Sequence, residues 1–267
     1  MPPQPPLPST TRLLSFDCFG TLINWESGLL ASLHPLLAPL PPSHPWTLTP
    51  LLALQSFDAH SSNLWATHPT LPYPANLTQS FRLLAAEASI PMTPDLEAAA
   101  TAMGTSPSEW PAFPDTVAAL RVLKRYFKLV ILSNVDEGNI ARVVGDGGAL
   151  GGVGGFEGVF TAEAVGGYKP SLGNFEYLFQ KVEGEFGVGR EGVVHVARSL
   201  TADHVPAKEV GLRSVWIARG GDRPEGYGTG GDYELLKGEG KLGFEWVFQT
   251  LGEFAEAVER EFGSGKE

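Results

Sequence analysis

Four places in this chain carry side chains whose types and spacing could do covalent chemistry. They are Asp17 with Thr21 four residues on, Ser133 followed by Asn134, Lys169 within Gly-Tyr-Lys-Pro, and Asp203. An aspartate becomes a useful nucleophile when it is held ionised and oriented. An ammonium such as Lys169 favours the ionised form. Hydroxyl and amide groups from Thr21, Ser133 and Asn134 would orient it, and Asp203 would add a second carboxylate. The question is which elements could bring residues so far apart to one place.

Each of the four lies at or soon after the end of a short apolar run or in a connecting loop. Leu13–Phe16 runs into Asp17 and a Phe-Gly-Thr turn, and reads as a buried strand with a polar residue at its carboxyl end. Residues 128–132, Val193–Ala197 and 214–218 read as three further strands. Helices are expected between them. One spans 114–126 with Pro114 in its first turn. Another starts near Asn174, with Phe175, Leu178, Phe179, Val182 and Phe186 on one stripe. A third ends at Gly211, a C-cap glycine. The last opens on Thr250 and Glu253 in capping-box spacing. Strands alternating with helices imply a parallel sheet, and in such a sheet all strand ends point to one edge.

The expected fold class is therefore α/β, a Rossmann-like parallel sheet core with an inserted helical cap domain. The cap is expected over 23–111, where composition shifts to Ala, Leu, Pro, Ser and His and helical patterning shows near 50–65 and 77–88. The core would comprise 12–22 and 112–267, and residues 1–11 read as a disordered Pro-rich tail. The Gly-rich stretches 145–158 and 220–231 read as loops, since neither follows a strand as a dinucleotide-binding loop would. Trp46, His60, Trp65, His68 and Tyr73 give the cap many aromatic and histidine residues, read as packing for the cap and its hinge. Cys18 alternates away from Asp17 and reads as core packing.

Composition narrows the function classes. A net charge of −11 argues against nucleic-acid or anionic-membrane partners, which demand a basic surface. A small-molecule substrate is the expected partner. One cysteine permits no intramolecular disulfide and fits a reducing compartment. The first residues do not form a signal peptide, and no apolar run approaches the ~20 residues of a membrane span. The expected location is cytoplasmic.

The segments carrying the chemistry also resemble a known family. Leu13-Leu-Ser-Phe-Asp17-Cys-Phe-Gly-Thr-Leu22 is similar to motif I of the haloacid dehalogenase superfamily. Val130-Ile-Leu-Ser133-Asn134 is similar to motif II, Tyr168-Lys169-Pro170-Ser171 to motif III, and Val193-Val-His-Val-Ala197 through Asp203 to motif IV. The insertion after motif I matches the place of the family's cap. Phosphatases of that family carry an acid–base aspartate two positions after the nucleophile, where this chain has Phe19. They also carry a magnesium-binding aspartate five positions before the last motif IV aspartate, where this chain has Arg198. The pattern is closer to type II (S)-2-haloacid dehalogenases.

That resemblance implies that Asp17 displaces halide from carbon 2 to form an ester, which an activated water then hydrolyses with inversion at carbon 2. It assigns catalytic roles to Asp17, Lys169 and Asp203. Thr21, Ser133, Asn134, Phe19 and Arg198 would meet the substrate or orient the nucleophile. No metal or other cofactor is required on this reading, and a homodimer is compatible with it. Arg198 either stands in for a cation between Asp17 and Asp203 or points away and pairs at the surface. The chain also departs from the branch. No Lys or Arg occurs between Arg12 and Arg82, where the branch has a cap arginine. Phe175 replaces its tyrosine, and Arg198 and Leu200 replace its serine and asparagine. Two alternatives stay open: a magnesium-dependent small-molecule phosphatase of the same superfamily, and a dehalogenase-like protein with another substrate or a binding role.

Overall fold

The computed structural model describes residues 4–68, 70–220, 231 and 233–263. Six parallel strands form one sheet in the order β3-β2-β1-β4-β5-β6. In chain order they are β1 (Leu13–Phe16), β2 (Lys128–Ser133), β3 (Gly158–Thr161), β4 (Val193–Ala197), β5 (Ser214–Ile217) and β6 (Trp246–Phe248). Two of them, β3 and β6, are not among the strands expected from the sequence.

The two central strands, β1 and β4, are buried along their whole length, as a sheet covered on both faces requires. Alternation divides their side chains between two cores. Leu14, Phe16, Val194 and Val196 join the larger core, while Leu13 and Val193 join a second one. Burying one such Leu or Phe side chain contributes about 1.5–3 kcal/mol, so these short strands are held by packing. The second core is completed by the helix Leu172–Phe186, whose Phe175, Leu178, Phe179 and Val182 are buried as its stripe predicts. The same alternation places Ser15 and His195 on this helix's side of the sheet.

Between β1 and β2 lie the inserted helices α1 (Trp25–Leu37), α2 (Pro45–Leu48), α3 (Pro50–Thr67), α4 (Tyr73–Glu87) and α5 (Pro94–Met103). The chain enters and leaves them through one neck. Asn24 N–H donates to the Pro111 carbonyl at 2.8 Å, Phe113 N–H donates to the Leu22 carbonyl at 3.1 Å, and Ile23 bridges Ala112. The core then continues with α6 (Thr116–Leu123), α7 (Glu137–Val144), α8 (Ala162–Val165), α9 (Leu172–Phe186), α10 (Val205–Glu209), α11 (Tyr233–Gly238) and α12 (Leu251–Gly263). Thr250 accepts from the Glu253 N–H at 3.1 Å, as its capping spacing predicts. Gly211, just past α10, takes φ +70°, the left-handed conformation that a C-terminal glycine supplies.

Two expectations need amendment. Residues 4–11, expected as a disordered tail, pack on the sheet's far edge: Leu7 is buried, and the Trp246 indole donates to the Pro5 carbonyl at 2.6 Å. A Pro-rich segment is already extended and keeps its carbonyls free, so it docks at little conformational cost. Residues 145–158 are a loop with one short helical turn, Gly151–Val153, but Gly158 already belongs to β3. The expected loop at 220–231 lies almost wholly outside the described residues. Among the described residues, no helix is long and apolar enough to cross a membrane.

Candidate active site

The carboxyl ends of β1, β2 and β4 meet at the middle of one sheet edge, next to the point where strand order reverses from β1 to β4. That crevice is where open α/β sheets bind ligands. Asp17 follows β1 directly, Ser133 ends β2, and Arg198 follows β4.

Lys169, on the loop before α9, reaches into this crevice. Its Nζ lies 3.0 Å from Asp17 Oδ1 and 2.7 Å from Asp203 Oδ1, and it also donates to the Leu132 carbonyl at 2.9 Å. All three ionisable residues are buried, with Lys169 4%, Asp17 6% and Asp203 0% exposed. A buried ammonium with two carboxylates and a carbonyl has every proton placed, which is what makes its burial tolerable. Asp203 is delivered by a single wide helical turn, Leu200–His204, whose first residues are capped by the Ser199 hydroxyl.

The two carboxylates differ in environment. Burial pushes Asp17 above the usual carboxylate range, against the pull of Lys169 and the Thr21 hydroxyl. Burial also opposes ionisation of Asp203, but the Lys169 ammonium and a hydrogen bond from His195 outweigh it and hold Asp203 down at about 2. Lys169 itself is held above its ordinary value: burial disfavours its charge, and the two carboxylates more than compensate. The site therefore keeps a fixed anion at Asp203 and a less stabilised, more basic carboxylate at Asp17. That division suits Asp17 to attack and Asp203 to support.

Orientation comes from the neighbours. Thr21 donates to Asp17 Oδ2 at 2.7 Å and accepts from the Arg198 backbone N–H at 2.9 Å, so one hydroxyl ties the end of β1 to the end of β4. The Asn134 amide accepts from the Lys169 N–H at 2.7 Å and donates to the Lys169 carbonyl at 2.9 Å, clamping the lysine's backbone. The Ser133 hydroxyl and Asp203 Oδ2 are buried and have no hydrogen-bond partner. Buried polar atoms normally find one, so these two keep unused hydrogen-bonding capacity.

The site also uses a residue to which the sequence reading gave no role. His195 bridges Asp203 Oδ1 at 2.9 Å and Ser15 Oγ at 2.8 Å, with Phe175 edge-on at 5.7 Å. Asp203 is ionised, so His195 Nε2–H donates to it. A histidine in the middle of an apolar strand was the available signal. Nearby, His204 is buried between the Ser214 hydroxyl and the Ala197 carbonyl, and burial lowers it to about 4.

Arg198 does not sit between the two carboxylates, which is where the first of its two expected placements put it. Lys169 occupies that position, and the Arg198 guanidinium pairs with Glu26 of α1 at 2.9 Å. The reason is geometric: the strand end turns the side chain toward the neck, where α1 offers a carboxylate. At the position where the resemblance would put a magnesium-binding carboxylate the chain carries the Arg198 guanidinium, which cannot itself ligate a cation.

Between the cap and the residues flanking the crevice lies a partly open cavity of about 170 Å³. Phe19 and Asn134 form its core side, and Trp25, Phe57, Asp58, Trp65, Tyr73 and Trp110 are among the residues on its cap and neck side. Phe19 packs edge-on to Trp110 with ring centroids 5.7 Å apart. Tyr73 stacks on Trp65 at 6.0 Å, and burial together with the Asp136 carboxylate keeps its hydroxyl protonated far above the ordinary range. Tyr73 also lines a larger cleft of about 530 Å³, bounded by Asp136, Glu137, Glu163 and Tyr168. Of the remaining cap residues named from sequence, His60 pairs with Glu87 at 2.8 Å, His68 is exposed and Trp46 is buried in the core.

No protein-family model and no curated protein matches this chain. Solved structures do. An L-2-haloacid dehalogenase from Xanthobacter autotrophicus with chloropropionic acid covalently bound superimposes with a TM-score of 0.70 at 18% identity, over 93% of this chain and 98% of that one. A defluorinating L-2-haloacid dehalogenase gives 0.72 at 14% identity, over 96% and 99%. The HAD-hydrolase YfnB from Bacillus subtilis, bound to magnesium, gives 0.68 at 18% identity, over 93% and 99%. The chain shares the α/β fold of these proteins along nearly its whole length.

Proposed function

We propose that this protein is a metal-independent hydrolase that uses Asp17 as a covalent nucleophile, and that its reaction is the hydrolytic dehalogenation of small (S)-2-halo acids. The observation that carries the reading is the buried Asp17–Lys169–Asp203 cluster, with 3.0 and 2.7 Å contacts at the switch point of the sheet. Phe19 and Arg198 favour displacement at carbon over phosphoryl transfer, because they occupy the places of an acid–base carboxylate and a metal-binding carboxylate. The fold-level likeness to L-2-haloacid dehalogenases supports the same choice.

On this reading an Asp17 oxygen attacks carbon 2, the carbon–halogen bond breaks, and halide leaves with the bonding pair. The substrate carboxylate is received by the unpartnered Ser133 hydroxyl. Water then attacks the Asp17 ester carbonyl, guided by Asp203 Oδ2, the acyl C–O bond breaks, and the inverted 2-hydroxy acid and a proton are released. His195 keeps Asp203 in place and ionised throughout.

The test is halide release from (S)-2-chloropropionate with EDTA present, beside p-nitrophenyl phosphate with magnesium, using Asp17→Asn as the blank. Halide release without metal is expected. Phosphate release alone would overturn the reading of Phe19 and Arg198, and silence in both assays would overturn the choice of substrate.

A further inference from the structure

The cavity between the cap and the core residues Phe19 and Asn134 has, among the described residues, a charge pattern opposite to that of an anion site. Trp25, Phe57, Trp65, Tyr73 and Trp110 are among its lining residues, and Asp58 is the one carboxylate among them. No lysine, arginine or histidine lines it among the described residues, and the adjoining cleft beyond Tyr73 adds carboxylates and again no cation. The chain cannot supply one from the early cap helices, because no Lys or Arg occurs between Arg12 and Arg82. Arg82 itself is committed to Glu97 at 2.8 Å on an exposed face. The Lys169 ammonium does not line the cavity, and both carboxylates and a carbonyl take up its protons.

Aromatic faces carry negative potential and attract cations, and cages of several rings are the usual receptors for alkylated ammonium groups. A carboxylate in the wall adds a formal charge of the right sign. Asp58 is an exposed residue of α3, and a cation beside it would favour its ionised form, whereas an anion would oppose it.

From these observations we infer that the aromatic cavity binds an ammonium group carried on the substrate's carbon chain. Together with the proposed reaction, on which this assignment of the cavity to a substrate rests, the substrate class becomes a 2-halo acid bearing a positively charged amine. Its carboxylate meets Ser133 and its cation meets the cage.

Binding can be measured without turnover. Calorimetric titration of the intact protein with choline, and with its uncharged isostere 3,3-dimethyl-1-butanol, separates charge from shape. Choline is expected to bind about tenfold or more tightly than the isostere. Asp58→Asn should remove most of that preference and leave the isostere unchanged, and Asp17→Asn should keep it. Equal affinities, absence of choline binding, or a preference that survives Asp58→Asn would each overturn the inference. Choline selectivity without halide release from any 2-halo acid would overturn the dehalogenase reading alone. Halide release without choline selectivity would overturn the cation cage alone.

Discussion

The floor and the roof of the candidate site are built on opposite plans. The floor, at the carboxyl edge of the sheet, is ionic: two carboxylates and an ammonium with at most a few per cent exposure, each fixed by two or more polar contacts. The roof, contributed mainly by cap helices α1, α3 and α4, is a set of aromatic rings with one carboxylate. Ionic groups are held by short directional bonds to strand ends, so their geometry is exact and intolerant of change. Aromatic walls are held by contact area, so they can be reshaped at modest cost. On the proposed reading the core makes and breaks bonds and the cap selects the substrate's organic part.

The largest effect should come from the floor. Asp17→Asn is expected to abolish turnover, a loss of about 10⁴-fold or more. Burial raises the Asp17 carboxyl, so its ionised form costs stability above that raised value, and asparagine relieves the cost. Thermal melting at pH 7 should show an unchanged or higher midpoint. A drop of many degrees would mean that this carboxylate is structural.

Lys169→Met should also stop turnover, but here the fold should suffer, by about 3–5 kcal/mol in urea denaturation at pH 7, because two buried carboxylates lose their counterion. Much of that loss should be recovered as pH falls and the carboxylates take up protons. A variant as stable as the parent at pH 7 would contradict the ionic plan of the floor.

Beneath the floor, His204 makes a pH prediction. Its native value of about 4 lies below the ordinary 6.5, so the unfolded chain binds its proton first as pH falls. This group's contribution to stability is intact above 6.5 and declines by roughly 3 kcal/mol by pH 4. The depressed Asp203 acts in a lower window: its contribution is lost only as pH falls from the ordinary carboxylate value toward 2. Urea midpoints measured from pH 7.5 to 4 should decline, and the decline should be reduced in His204→Gln. A flat profile would remove the assigned neutral histidine.

The smallest effect belongs to the roof. A Cβ at Gly28 would lie 2.2 Å from the Trp110 ring, so Gly28→Ala must push that wall. The expected cost is about 1–3 kcal/mol in stability, with KM changed several-fold and kcat nearly preserved. Equal loss in kcat would mean that roof and floor are not separable.

How much of this was legible beforehand depended on distance along the chain. The strand at Leu13–Phe16, the helix faces and the cap insertion follow from local periodicity, because burial of both sheet faces demands apolar runs and burial of one helix face demands a stripe. The strands Gly158–Thr161 and Trp246–Phe248 were not legible: the first opens on a glycine of a Gly-rich stretch and holds only two apolar residues, the second is three residues long, and only pairing with β2 and β5 makes them strands. Asp17, Lys169 and Asp203 could be named from residue type and order along an α/β pattern, since a parallel sheet sends all its strand ends to one edge. The sequence by itself determined that a carboxylate, a cation and a second carboxylate follow one another in that order. Only the tertiary structure decided that Lys169 and not Arg198 lies between the carboxylates, that His195 supports Asp203, and that the cap offers aromatic rings and Asp58. Those outcomes depend on contacts between residues up to 172 positions apart, and no local pattern encodes which of two cations a distant carboxylate will capture.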